Sequence, residues 1–219
     1  MRNAVFFIVF LLSLGMVFAH ERQVFEIGDK TYLFVIGSLN EPVFVDDKTG
    51  VDLRVKLADP ANPGDSSSPN AEPVAGLETS LKVELIAGDK KKTMALAPAY
   101  KDPGAYKAEF YPTLATTFTY RVFGMINEVS VDLMFSCNPT GHPATADDTS
   151  RVEVSEGVTR ILKAGSFGCP KPKAEYGFPE PSASLQELSV KKENRWPMVA
   201  AILAGLSLLL SIIAFWKVQ

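Results

Sequence analysis

The sequence predicts an all-β protein: an immunoglobulin-like antiparallel sandwich with a signal peptide and one carboxy-terminal transmembrane helix. Three observations carry this. Apolar and polar residues alternate with a period of two over several short runs, each bounded by turn residues. Fifteen Pro and fifteen Gly punctuate a chain with few helical stretches. Each end carries an uncharged apolar run, and neither resembles the body between them.

The clearest alternation is in residues 104–124. Tyr106, Ala108 and Phe110 alternate with Lys107 and Glu109; Phe118, Tyr120 and Val122 alternate with Thr117, Thr119 and Arg121. The stretch reads as an antiparallel pair, each strand with one buried face, turning at Pro112 because proline cannot extend a ladder.

Before it, residues 21–26 and 31–38 read as a hairpin around Gly28-Asp-Lys30. Leu33 and Val35 make the second strand apolar on both faces, which predicts a central position. Residues 51–57 alternate without fault. Residues 59–76, rich in Pro, Ser and Asn, predict a mobile surface loop. Residues 81–86 form another strand, and Gly88-Asp-Lys-Lys-Lys92 a solvated turn. After the pair, Val129, Val131, Leu133 and Phe135 mark a strand over 129–136. Residues 151–154 add a short last one. Seven or eight such strands fit an immunoglobulin-like sandwich over residues 20–156. A Pro- and Lys-rich stalk is expected over 157–197.

Residues 1–19 have the physics of a signal peptide: Arg2, an apolar run, then Val17-Phe-Ala19 before the cut. An uncleaved amino-terminal anchor is the alternative. Residues 198–216 carry no charge and are bracketed by Trp196 and Trp216. At about 1.5 Å per residue they just cross a hydrocarbon core. Lys191, Lys192 and Arg195 before this span would by themselves place its amino end in the cytoplasm. The signal peptide acts first and sets the opposite sense. The expectation is a membrane-anchored domain facing the periplasm or cell exterior, with residues 217–219 as a cytoplasmic tail.

A net charge of −3, with no basic excess, argues against nucleic-acid binding. The chain has two Cys and two His. In an exported chain, Cys137 and Cys169 are expected to pair, closing a loop of about thirty residues. The alternative, a Cys137–His142 metal pair, lacks further ligands. The predicted cut leaves His20 as the first mature residue. An amino-terminal His offers its α-amine and an imidazole nitrogen to one metal ion, and copper favours nitrogen donors. His142 is the candidate for a third nitrogen. Glu21, Asp46, Asp47, Met94 and Met125 are further possible donors that no spacing selects. There is no Ser-His-Asp arrangement or glycine-rich helix-opening loop, and Asp46-Asp47 and Asp147-Asp148 read as turn residues, so no enzyme is expected.

Several motifs in order resemble a family of exported bacterial and archaeal proteins of unknown function, some mislabelled as nuclear export factors. They are His20-Glu21, Tyr32-Leu-Phe-Val-Ile-Gly-Ser-Leu-Asn-Glu-Pro42, Gly50-Val-Asp-Leu-Arg-Val55, Val74-Ala-Gly-Leu-Glu78, Asp102-Pro-Gly-Ala-Tyr106, Pro112-Thr113, Phe123-Gly124 and Gly177-Phe-Pro-Glu-Pro181. The resemblance covers about residues 21–136 and the anchor, and implies an immunoglobulin-like body on a carboxy-terminal helix. The cysteine-bearing tail is additional to that pattern. His20 and the sandwich pattern are also loosely similar to CopC-like and YtkA-like extracytoplasmic domains, where an amino-terminal His is a copper ligand. Their later Asp and His ligands have no counterpart here unless His142 serves. The sequence thus leads to an extracytoplasmic binding module, with copper held through His20 and His142. The alternative is a metal-free structural or interaction module that recruits a neighbouring membrane protein.

Overall fold

The computed structural model describes residues 20–140 and 147–173. The expected signal peptide, His142, the later part of the stalk and the expected membrane helix lie outside them. Among the described residues no helix is long and apolar enough to cross a membrane.

Twelve strands and one 3-10 turn (Leu77–Thr79) make up the described chain. The strands are β1 (Glu21–Ile27), β2 (Lys30–Ser38), β3 (Thr49–Leu57), β4 (Glu72–Pro73), β5 (Leu81–Ala87), β6 (Lys90–Ala95), β7 (Ala97–Pro98), β8 (Ala105–Phe110), β9 (Thr119–Ile126), β10 (Val129–Ser136), β11 (Val152–Ser155) and β12 (Val158–Ala164). They form two antiparallel sheets. The first runs β11-β12-β1-β2-β3-β8-β7, with β4 on β3; the second runs β10-β9-β5-β6.

Alternation decides which side chains meet between the sheets. Phe25 and Phe34 of the first sheet, 5.5 Å apart between ring centroids, each pack on Phe135 of the second at 6.4 Å. Val51, Leu53 and Val55 of β3 are fully buried in the same cluster as Val83 and Val122. Tyr106 closes one end of this core: its hydroxyl donates to the Val74 carbonyl at 2.5 Å and accepts from the Leu77 N–H at 3.2 Å.

The expected pair over residues 104–124 is not a pair. β8 joins β3 and β7 in the first sheet; β9 joins β5 and β10 in the second. Residues 111–118 carry the chain from one layer to the other. The alternation is the same in both arrangements, because inward residues face one core whichever neighbour the strand takes.

Residues 59–71 fold back over the outer face of the first sheet instead of standing free. There Val24, Leu33 and Val35 form a second apolar cluster, flanked by Ala58, Ile161 and Leu162. Arg22 reaches the Gly64 carbonyl at 3.1 Å and Lys56 the Ser66 carbonyl at 2.8 Å. Asp59 organises the loop by accepting from Ser68 Oγ at 2.6 Å, the Ala61 N–H at 2.9 Å and Asn70 Nδ2 at 3.3 Å. Those hydrogen bonds, that of Ser68 foremost, hold its carboxyl below the usual range.

Two further expectations change. Lys90, Lys91 and Lys92 belong to β6, the outer strand of the second sheet, where charge discourages pairing with another chain. Val158–Ala164, placed at the start of the stalk by the sequence, is β12. It pairs with β1 from Arg22↔Ala164 to Ile27↔Val158. The chain continues to Lys171, which bridges Phe44 in parallel.

Candidate functional site

His20 stands at the opening of β1. Its ring lies on the outer face of the first sheet, because Glu21, the next residue, points inward and is buried. The register Glu21↔Ile36 continues to put His20 beside Gly37, and Gly37 pairs with Asp52 of β3. The three residues thus form a row across three strands. The imidazole crosses Gly37 and brings Nε2 to 3.2 Å from Asp52 Oδ2. A Cβ at Gly37 would lie 2.6 Å from the ring. On the other side, Gly165 adopts a left-handed φ of 71°, and a Cβ there would meet the His20 carbonyl oxygen at 2.6 Å. Two glycines therefore make the space that His20 occupies.

Asp52 is held from its far side as well. Arg54 Nε stands 3.9 Å from Asp52 Oδ1, and Arg54 Nη1 donates to Asp102 at 2.7 Å. A carboxylate only accepts, so the proton of a neutral His20 ring belongs on Nε2. Nδ1 is then left with its lone pair. In a chain that began at His20, the α-amine and Nδ1 would be placed to close a chelate on one ion. A histidine ligand whose other nitrogen donates to a carboxylate is the usual supported arrangement.

The surroundings are polar and partly buried. Burial pushes the Glu41 carboxyl up, against the Ser38 N–H, the nearby His20 and the Gly168 N–H, which all favour its charged form. Ser38 Oγ and Tyr120 Oη share a hydrogen bond of 3.0 Å, and burial pushes the Tyr120 phenol up to about 12. Tyr120 stacks on Phe167 at 5.0 Å, which places the second cysteine segment against this end of the core.

The expected disulfide is present. Cys137 and Cys169 are bonded, with Cα atoms 5.0 Å apart. Cys137 follows β10 directly, and its sulfur also accepts the Phe118 N–H at 3.1 Å.

The other expected donors divide. Glu21 turns inward and binds Lys163 Nζ at 3.1 Å and Gln23 Nε2 at 2.5 Å; burial raises its pKa. Asp47 pairs with Lys173 at 2.8 Å. Asp46 takes a left-handed turn position at φ 65°. Met94 and Met125 belong to β6 and β9 of the second sheet. His142 lies outside the described residues. Among the described residues no group of three His, Cys, Asp or Glu side chains could hold a metal ion.

Asp52, Gly37, Gly165 and Glu41 escaped the sequence reading. Asp52 looked like one more solvent-facing residue in a faultless alternation. Gly37 carried a usable signal: an isolated glycine inside a strand marks a close approach by something else.

No protein family, curated protein or solved structure matches the chain.

Proposed function

We propose that the protein is a membrane-anchored extracytoplasmic binding module that holds copper at its mature amino terminus. The pairing of β3 with β8 and of β5 with β9 supports the immunoglobulin-like form of the sandwich, since it follows the order expected of that topology. The uncharged run over residues 198–216 supports the anchor, and residues 1–19 support export.

One observation carries the copper reading: His20 Nε2 is directed onto Asp52, with space cleared by Gly37 and Gly165. This orients the imidazole and leaves Nδ1 for an ion. The donor set fits copper as a two-nitrogen chelate, and His142 is the candidate third nitrogen. Copper would supply no reaction here; the module retains or transfers it. The reading assigns no catalytic step to the chain.

The test is copper(II) titration of residues 20–173 with a native His20 amino terminus, beside a form with one extra alanine before His20. Tight binding by the first and its loss in the second are the expected results. Equal weak binding by both would remove copper from the reading and leave a metal-free interaction module.

A further inference from the structure

We infer that the end of the sandwich from which the described chain leaves, at Lys173, is a docking surface for anionic lipid headgroups. The inference shares the anchoring part of the proposed function and is independent of copper.

Two observations meet there. Tyr111 and Leu114, in the link between the sheets, are 61% and 67% exposed. Both line one groove and are left to solvent, where a covering surface could reach them together. Beside them lie Lys90, Lys91 and Lys92 of β6, all exposed, on the rim of the same shallow groove of about 460 Å3. Apolar tips ringed by lysines match an anionic bilayer surface, where the tips enter the interface and the ammonium groups meet phosphates. Asp89 lies 3.1 Å from Lys90 and Glu84 3.8 Å from Lys91. The Asp89–Lys90 pair is exposed on both sides and exchanges readily for a lipid phosphate, whereas Glu84 is buried, also pairs with Arg121, and leaves Lys91 only loosely held at that distance.

The exit of the chain is built into this patch. The Lys171 N–H donates to Val43 O at 2.9 Å, and the Val45 N–H donates to Lys171 O at 3.0 Å. The Asp46 N–H donates to Pro112 O at 2.8 Å, next to Tyr111. Hydrogen bonds therefore connect the segment that leaves the domain to the loop that carries the apolar tips. Residues 174–197 separate that exit from the uncharged run expected to enter the bilayer. A tether of this length permits contact with the lipid surface and raises the local concentration of headgroups.

Residues 20–173 contain both sheets, the core and the disulfide, so this piece carries its own fold. It should float with vesicles of phosphatidylcholine mixed with phosphatidylserine, and not with phosphatidylcholine alone. Salt should release it. Lys90→Thr, Lys91→Thr and Lys92→Thr together should weaken binding about tenfold or more. Leu114→Ser should weaken it several-fold; Tyr111→Ser is the second apolar variant. Thermal unfolding, unchanged in these exposed-site variants, checks that each is folded. No flotation with mixed vesicles, or flotation that ignores both sets of substitutions, would overturn the inference. A surface that instead recognises an acidic protein would give that first result. The anchor is tested separately by whether the full chain stays with membranes through an alkaline wash.

Discussion

His20 Nε2 and Asp52 Oδ2 stand 3.2 Å apart because Gly37, on the strand between them, has no side chain to separate them. The contact spans three adjacent strands on one face. The register of the sheet therefore sets where the contact forms, while the half-exposed imidazole that makes it can still rotate.

If that carboxylate orients the imidazole for a metal ion, Asp52→Asn should lower copper affinity about 10–100-fold. Isothermal titration with matched native amino termini would show it. An unchanged affinity would mean that Asp52 has no part in the site.

The two glycines around His20 should respond differently to alanine. At Gly37 the new methyl meets an imidazole that is 31% exposed and free to swing away. Gly37→Ala should cost less than about 1 kcal/mol and abolish the contact with Asp52. At Gly165 the methyl meets a backbone oxygen, and φ is 71°. Gly165→Ala should cost about 1–3 kcal/mol. Urea unfolding of both variants measures the difference.

Joining Cys137 to Cys169 closes a loop with a sequence separation of 32. Replacing both cysteines with serine should cost about 4 kcal/mol by the chain-entropy argument. For a domain of this size that lowers Tm by roughly 8–16 °C, read by calorimetry.

Glu41 gives a pH signature. Burial raises its pKa in the folded state, so the folded protein binds that proton more readily than the unfolded chain. The site therefore destabilises the fold as pH rises from the ordinary carboxyl range through the folded pKa, and the full cost is present above it. Glu41→Gln keeps an oxygen for the Ser38 N–H and carries no charge. Its advantage over the wild type should be larger at pH 7 than at pH 4 in urea unfolding. A gap that does not vary with pH would refute this.

Tyr106→Phe should destabilise the domain by about 1–3 kcal/mol, because the Leu77 N–H and the Val74 carbonyl lose their shared partner away from water. Differential scanning calorimetry checks it.

Much of the body was readable because period-two alternation reports which residues face a core. β3, β5 and β10 lie close to where Val51, Leu81 and Val129 announced them. Alternation does not report partners, which is why β8 and β9 were joined to each other. β12 was missed for a different reason. Val24 pairs with Leu162 and Phe25 with Arg160, so Ile161 is an extra residue in the strand. That bulge sets Ile161 and Leu162 together against the outer cluster and breaks the period. Residues 59–71 were misread because their order comes from polar contacts around Asp59, which composition does not reveal. Half of the candidate site was legible, since the expected cut after Ala19 singles out His20. Asp52 required the register of two strand pairs.

β1 is the first strand among the described residues, yet it is an interior strand, with β2 on one side and β12 on the other. This fixes an order of assembly. While the chain is still being made, β1 keeps one unsatisfied edge, and Cys137 has no partner. Both are completed only when the segment from Val158 to Cys169 arrives. A product that stopped before that segment would expose a ready template for pairing with other chains. The closing contact is also among the longest in sequence, and so among the slowest to find. The last described strand thus acts as a seal on the first described strand.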